Sequence, residues 1–302
     1  MTKSIFAILT LLIATLVAQS AEAKLIVLST VPDLAALVAQ VGGDAVSSES
    51  IAKGTQDPHF IEAKPSYMTR ANKADLVVSM GFELEIGWLP SILRGARNPK
   101  VLPGNAGYLE LGSELDPLEI PKGKVSRSDG DVHPSGNPHF NLDPIRMGKA
   151  ALIVARKLGS LDPSHAAEFT RRATDYQSLL ERKTREWQAR VAKTGVKRII
   201  TYHKTLTYFL DRFNIENPAI LEPKPGIPPT SGHIIEVINR IQQDKIPLVL
   251  IENFFDPTVG NRIKQDVPGI RIQTVPVLVE GAPGVKSTED LIERLVSAIE
   301  AR

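Results

Sequence analysis

After Pro163 the chain runs to about Lys193 with no further proline and no glycine, and this constrains the fold more than any other feature. The stretch reads as one helix of roughly 30 residues, about 45 Å long at 1.5 Å per residue. That is longer than an ordinary element of a small domain. Its apolar positions, Ala167, Phe169, Ala173, Tyr176, Leu179, Leu180 and Trp187, do not keep a strict heptad, which argues against a coiled coil. A rigid strut between two domains fits better, and 302 residues are enough for two domains of about 150 residues each.

Both sides of the strut carry short apolar runs alternating with helical patterns. Before it, strands are expected at Leu25–Leu28, Ala45–Ile51 and Asp75–Met80. Helices are expected after Pro32, near Pro65–Asn72, at Leu84–Leu93 and at Pro144–Leu158. After it come strands at Val196–Tyr202, Pro247–Glu252 and Arg271–Leu278. Helices there are Thr205–Phe213, Ser231–Gln242, Thr258–Gln265 and Ser287–Ile299. This rhythm specifies an α/β protein with parallel sheets covered on their faces. The expected division is a lobe at 24–160, a linking helix at 161–194 and a second α/β lobe at 195–302. Residues 122–137 are polar and read as a surface loop, and Glu222–Pro229 as a stiff proline-rich connection.

Residues 1–23 read as a secretory signal peptide: Lys3, an apolar run from Ile5 to Ala18, then Ala21-Glu22-Ala23 as a cleavage site. The run is about 14 residues, short of the roughly 20 that span a bilayer. Nothing later in the chain approaches a spanning length, so an exported, soluble protein is expected. The chain has no cysteine. That excludes disulfides, thiolate metal sites, a cysteine nucleophile and a lipid anchor on cysteine. Without such a tether, a Gram-negative periplasm is the expected compartment. A net charge of +2 gives no footprint for nucleic acid.

The chemistry-bearing candidates are histidines. His59 and His139 each follow a proline in a loop, and His203 ends a strand and precedes a helix. Ligands in open α/β sheets sit at such places, beyond the carboxyl ends of strands. Imidazoles suit zinc and the other late divalent metals, and three of them with one oxygen make a tetrahedral zinc site. For each histidine taken singly, a loop or core role is the alternative. His165 and His233 read as structural or solvent-facing. His133 lies in the polar loop and reads the same way, although it could reach a metal.

Several segments in register resemble the metal-binding solute receptors of ABC importers, the zinc and manganese cluster. GTQDPHFIEAKPSYMTRANKADLVVSMGFELEIGW at 54–88, NPHFNLDP at 137–144 and TYHKTLTYFLDRF at 201–213 look like the family's three ligand segments. EPKPGIPPTSGHI at 222–234 and PLVLIENFFDP at 247–257 fall where the family has a proline-containing connection and a strand ending in glutamate. The match covers nearly all of the chain after Ala23.

The resemblance implies two α/β lobes joined by a long helix with a metal between them, and a rigid strut predicts small lobe motions on release. The resemblance also implies His59, His139 and His203 as ligands, and the third histidine is similar to zinc-type members. A fourth, carboxylate ligand is expected after the last strand. Val275–Gly284 lacks the family's usual aspartate-serine there, which leaves Glu280 or a water molecule. Many zinc members also carry a histidine-rich loop near 122–137, where this chain has only His133. Glu62, Asp143 and Glu252 are candidates for orienting the ligand rings, and Asp143 equally for capping a helix.

The expected function is a monomeric periplasmic zinc receptor, not an enzyme, that binds Zn²⁺ in preference to Mn²⁺. Its partner would be the transmembrane subunit of an ABC permease, with a metallochaperone as a further one. The alternatives are a manganese or iron receptor of the same type, an exported zinc-dependent hydrolase, and an adhesin with a structural metal. Against the hydrolase stand the absence of an H-E-x-x-H motif and of a general base beside a ligand.

Overall fold

A computed structural model describes residues 23–123, 132–224 and 226–301. The leader reading up to Glu22 and residues 124–131 of the polar loop lie outside the described residues.

The first lobe is a four-stranded parallel sheet. Its strands are β1 (Leu25–Ser29), β2 (Val46–Ser50), β3 (Leu76–Ser79) and β4 (Tyr108–Glu110), in the order β2-β1-β3-β4. Helices α1 (Pro32–Gly42), α2 (Pro65–Lys73) and α3 (Leu89–Ala96) join them. Each of these helices has proline in its first two positions, where the missing N–H costs no hydrogen bond. Strand β3 is buried along its whole length, as a central parallel strand with both faces covered must be.

The second lobe has a three-stranded parallel sheet, β5 (Ile200–Thr201), β6 (Leu248–Glu252) and β7 (Arg271–Val275), in chain order. Between the sheets run α4 (Pro144–Leu161) and α5 (Ala166–Thr194), and the second lobe adds α6 (Thr207–Phe213), α7 (Ser231–Asp244), α8 (Thr258–Asp266) and α9 (Thr288–Glu300).

Helix α5 has 29 residues and so is about 43 Å long. It buries a single stripe: Phe169, Ala173, Tyr176, Leu180, Thr184, Trp187 and Val191. The steps of three and four residues keep that stripe on one face. Phe169 to Leu180 pack into the core of the first lobe, with Val27, Leu34, Leu76 and Val154. Trp187 and Val191 pack into the second, with Leu250, Leu291 and Leu295. Thr184 stands between the two groups and returns its hydroxyl to the Leu180 carbonyl at 2.6 Å. One stiff rod is therefore a wall of both cores. Gly195 ends it in the left-handed region, φ 73°.

Three boundaries differ from the sequence reading. The strand expected at Val196–Tyr202 contracts to Ile200–Thr201, because Ile199 N–H donates instead to Glu216 on a returning segment. The strand expected at Arg271–Leu278 stops at Val275, before Pro276, which cannot donate to a ladder. The helix expected at Leu84–Leu93 begins at Leu89. Phe82 and Glu83 adopt φ 52° and 65°, and the Glu85 carboxylate accepts from the N–H groups of Met80 and Gly81, which holds this segment in turns. Strand β4 and the short 3₁₀ turns went unread, being too brief to show a period.

Both sheets present their carboxyl ends to the same cleft. Loops from those ends meet across it. Asp33, buried after β1, accepts from Asn141 Nδ2 at 2.9 Å and from Val279 N–H at 3.0 Å, so it ties the start of α1 to the segments before α4 and after β7. Burial pushes its carboxyl up to about 7. Asn253 donates to the carbonyls of Gly54 at 3.2 Å and Gly281 at 2.9 Å.

A Cβ on Gly54 would stand 2.1 Å from the Val279 carbonyl and 2.3 Å from Gly281 N, both backbone atoms that cannot rotate away. Gly54→Ala should therefore lower the urea unfolding midpoint by an amount equivalent to about 1–3 kcal/mol. An unchanged midpoint would show that the lobes do not rest on each other here.

Candidate metal centre

Each histidine of the centre arrives on a different element. His59 follows β2 on the loop that carries Asp57-Pro58. Pro58 holds Asp57 extended, and Trp88 Nε1 donates to the Pro58 carbonyl at 2.9 Å, pinning the loop. His139 immediately precedes a 3₁₀ turn, Phe140–Leu142, and Asn137 Oδ1 accepts its N–H at 2.9 Å. His203 follows β5, and its N–H donates to Glu252 at 3.3 Å.

The fold brings these three rings together. One ligand atom from each of His59, His139 and His203 lies within 4.8 Å of the other two. Ring centroids are 5.2 Å apart for His59 and His139, 5.6 Å for His59 and His203, and 5.7 Å for His139 and His203. His139 and His203 are buried. Nε2 of His139 is buried with no hydrogen-bond partner. A buried nitrogen left unpaired costs about 1–3 kcal/mol unless something outside the polypeptide takes its lone pair.

Two carboxylates fix the tautomers. His59 Nδ1 contacts Asp57 Oδ1 at 2.7 Å, and His203 Nδ1 contacts Glu222 Oε2 at 2.5 Å. A ring whose Nδ1–H is held by a carboxylate carries its lone pair on Nε2. Glu222 is itself buried, and its other oxygen accepts from Gly226 N–H at 2.8 Å. The His59 ring beside Asp57 holds that carboxyl below its usual range, overcoming the opposite push of desolvation.

These partners differ from the ones read in the sequence. Glu62 is exposed and pairs loosely with Lys64 at 3.8 Å. Asp143 caps α4 through Ile145 N–H and binds Arg146 and Arg212. Glu252 serves the His203 backbone rather than its ring, and burial pushes it up to about 8. The sequence held a signal for Asp57, two residues before a candidate ligand. It held none for Glu222, whose approach depends on the course of the 222–229 connection.

Glu280 is not brought to the triad. It is exposed on a turn with φ 64°, its N–H bonded to the Val285 carbonyl, and it is outside the close group. The neighbouring Val279 N–H is committed to Asp33, which holds this turn in place. His133, read as structural although able to reach a metal, stands beside the triad. Its Nε2 lies 3.2 Å from Nε2 of His59, with ring centroids 5.3 Å apart. His165 pairs with Asp162 at 2.6 Å, and His233 Nε2 meets the Ile220 carbonyl at 3.0 Å, both as structural residues.

The triad opens to solvent on two sides. A cavity of about 580 Å³ reaches His133, His139 and His203 past Ile120 and Val132. A smaller one of about 240 Å³ reaches His59 and His203 past Phe60 and Phe255. Tyr202 and Phe255 stack at 4.1 Å behind His203. The centre is thus a set of nitrogen donors at the junction of two lobes, accessible to an ion.

Comparison with known proteins agrees with this architecture. The family described as zinc-uptake complex component A, periplasmic, matches residues 27–301. The manganese ABC transporter substrate-binding lipoprotein PsaA of Streptococcus anginosus is 23% identical over 248 residues, which cover 80% of this chain and 77% of that protein. The zinc-binding lipoprotein AdcA of Streptococcus pneumoniae is 21% identical over 253 residues, 82% of this chain and 49% of that protein. A crystal structure of ZnuA has the same fold, with a TM-score of 0.77, 20% identity, and coverage of 92% of this chain and 99% of that one.

Burial and the neighbouring rings hold His139 well below the usual imidazole range and push His133 down to about 3. In the unfolded chain both take a proton below about pH 6.5. Unfolding then takes up protons, so these rings make the metal-free protein less stable as pH falls from about 6.5. Asp33 acts in the opposite sense: its raised value stabilises the fold below about 7 and loses that contribution as pH rises through it. Urea midpoints of metal-free protein at pH 5 and 7 should show a smaller acid-side loss in His139→Gln than in the parent. Equal losses would mean that His139 is protonated in the folded state.

Proposed function

The chain belongs to the family of periplasmic zinc-uptake component A proteins, the metal-binding receptors of ABC transporters, and on that premise we propose that it captures a zinc ion with His59, His139 and His203. Receptors of this class are not enzymes, and they work with a membrane permease and its ATPase. The proposed course is capture in the periplasm followed by delivery to the permease. No described helix is long and apolar enough to cross a membrane. Division into lobes at 24–160 and 195–302, with 161–194 as the linking helix, belongs to the same proposal.

One observation carries the reading: three imidazoles from three separate segments converge within 4.8 Å, and one of them has a buried nitrogen with no partner. Two of the rings already donate to carboxylates, so the lone pairs are available without reorganisation. Asp57 and Glu222 together supply two negative charges next to the centre, which match the charge of a divalent ion. The close group holds nitrogen donors and no carboxylate oxygen. Such a set favours zinc and the other late divalent metals over manganese, which prefers oxygen.

In calorimetric titrations of chelator-stripped protein, one zinc per chain should bind, and more tightly than manganese. His139→Ala should abolish tight binding. Glu222→Gln should weaken it roughly 10- to 100-fold, the usual cost of losing a partner behind a ligating histidine. Tight zinc binding in His139→Ala, or a preference for manganese in the parent, would overturn the assignment.

A further inference from the structure

We propose that His133 is the fourth donor of this centre, filling the position that the sequence suggested for Glu280. The proposal rests on the zinc-receptor reading and names one more residue of the same site.

The first support is distance. Two ligands of one tetrahedral zinc, each at 2.0–2.1 Å, stand about 3.3–3.4 Å apart. Nε2 of His133 and Nε2 of His59 are 3.2 Å apart. Two nitrogens at that separation already have the spacing of neighbouring corners around one ion. His133 stands outside the mutually close triad, so capture of the metal would draw this ring inward.

The second support is orientation. The Phe82 backbone lies beside the His133 ring. A carbonyl there would orient that ring as Asp57 and Glu222 orient the other two. This stretch of backbone is held in place by an unusual turn. Gly81, Phe82 and Glu83 have φ of 86°, 52° and 65°. Two successive non-glycine residues in the left-handed region persist only where the surroundings impose it. Here buried Glu85 imposes it, accepting from Met80 N–H at 2.8 Å, Gly81 N–H at 3.2 Å and Thr30 Oγ1 at 2.6 Å.

The third support is access. His133 lines the larger cavity together with His139 and His203, so all three face the same space. Glu280 does not line either opening to the triad.

The test compares His133→Gln, Glu280→Ala and His59→Ala in the full-length mature chain. Zinc should move the ring-nitrogen resonances of four histidines, His59, His133, His139 and His203, in protein labelled at the histidine rings, and leave His165 and His233 in place. His133→Gln should retain one zinc per chain and weaken it by at least the roughly 10- to 100-fold that losing an outer partner costs. Its cobalt-substituted form should show weaker visible absorption as water replaces a nitrogen. Glu280→Ala should match the parent in both. If His133→Gln leaves affinity and cobalt spectrum unchanged while His59→Ala abolishes binding, His133 is not a ligand and the receptor reading stands. If Glu280→Ala alone changes them, the fourth donor is the carboxylate. If His59→Ala also binds as the parent does, the receptor reading itself falls.

Discussion

Two pairs, Asp57 with His59 and Glu222 with His203, are the interactions on which the centre depends. A ligating imidazole must aim its lone pair inward, and a carboxylate on the far nitrogen fixes that orientation. Burying Glu222 and His203 together would be unfavourable if either stood alone. Held at 2.5 Å, with Glu222 also bonded to Gly226 N–H, the pair leaves neither group unsatisfied. His139 has no such resolution at Nε2. The fold keeps that nitrogen unpaired, a cost that the proposed binding of an ion would offset.

Those pairs belong to different lobes, so their spacing is set by whatever fixes the lobes. Helix α5 does this by giving one apolar stripe to both cores. Trp187 Nε1 donates to Glu293 at 2.8 Å, and Arg190 binds Glu293 and Glu300, so the helix is locked to α9 as well. Asp33, Asn141 and Asn253 then join loops from the two sheets across the cleft. A shared rigid wall and a bonded seam leave little room for wide hinge opening.

Much of this was legible in the residues. The helix lacking proline and glycine, the alternating strands and helices, and the prolines before His59 and His139 each reflect a local constraint. Such constraints are written in adjacent positions and read directly. The errors fell where the local signal was outvoted. The Val196–Tyr202 strand shortened because a segment near Glu216 took its hydrogen bonds. The helix at Leu84 started late because Glu85 turned inward to hold the backbone of Met80 and Gly81.

The sequence by itself determined most of the elements, their parallel arrangement and the three histidines at strand and loop ends, because periodicity and proline geometry act over a few residues. Only the tertiary structure decided what meets those histidines. It placed Asp57 and Glu222 behind the rings in place of Glu62 and Glu252. It also set His133 against His59 while Glu280 stayed on an exposed turn. The reason is that His59 and His133 lie 74 residues apart and His203 and Glu222 lie 19 apart. Their contact depends on the paths of loops over two sheets whose separation is fixed by α5, and no local pattern encodes that distance.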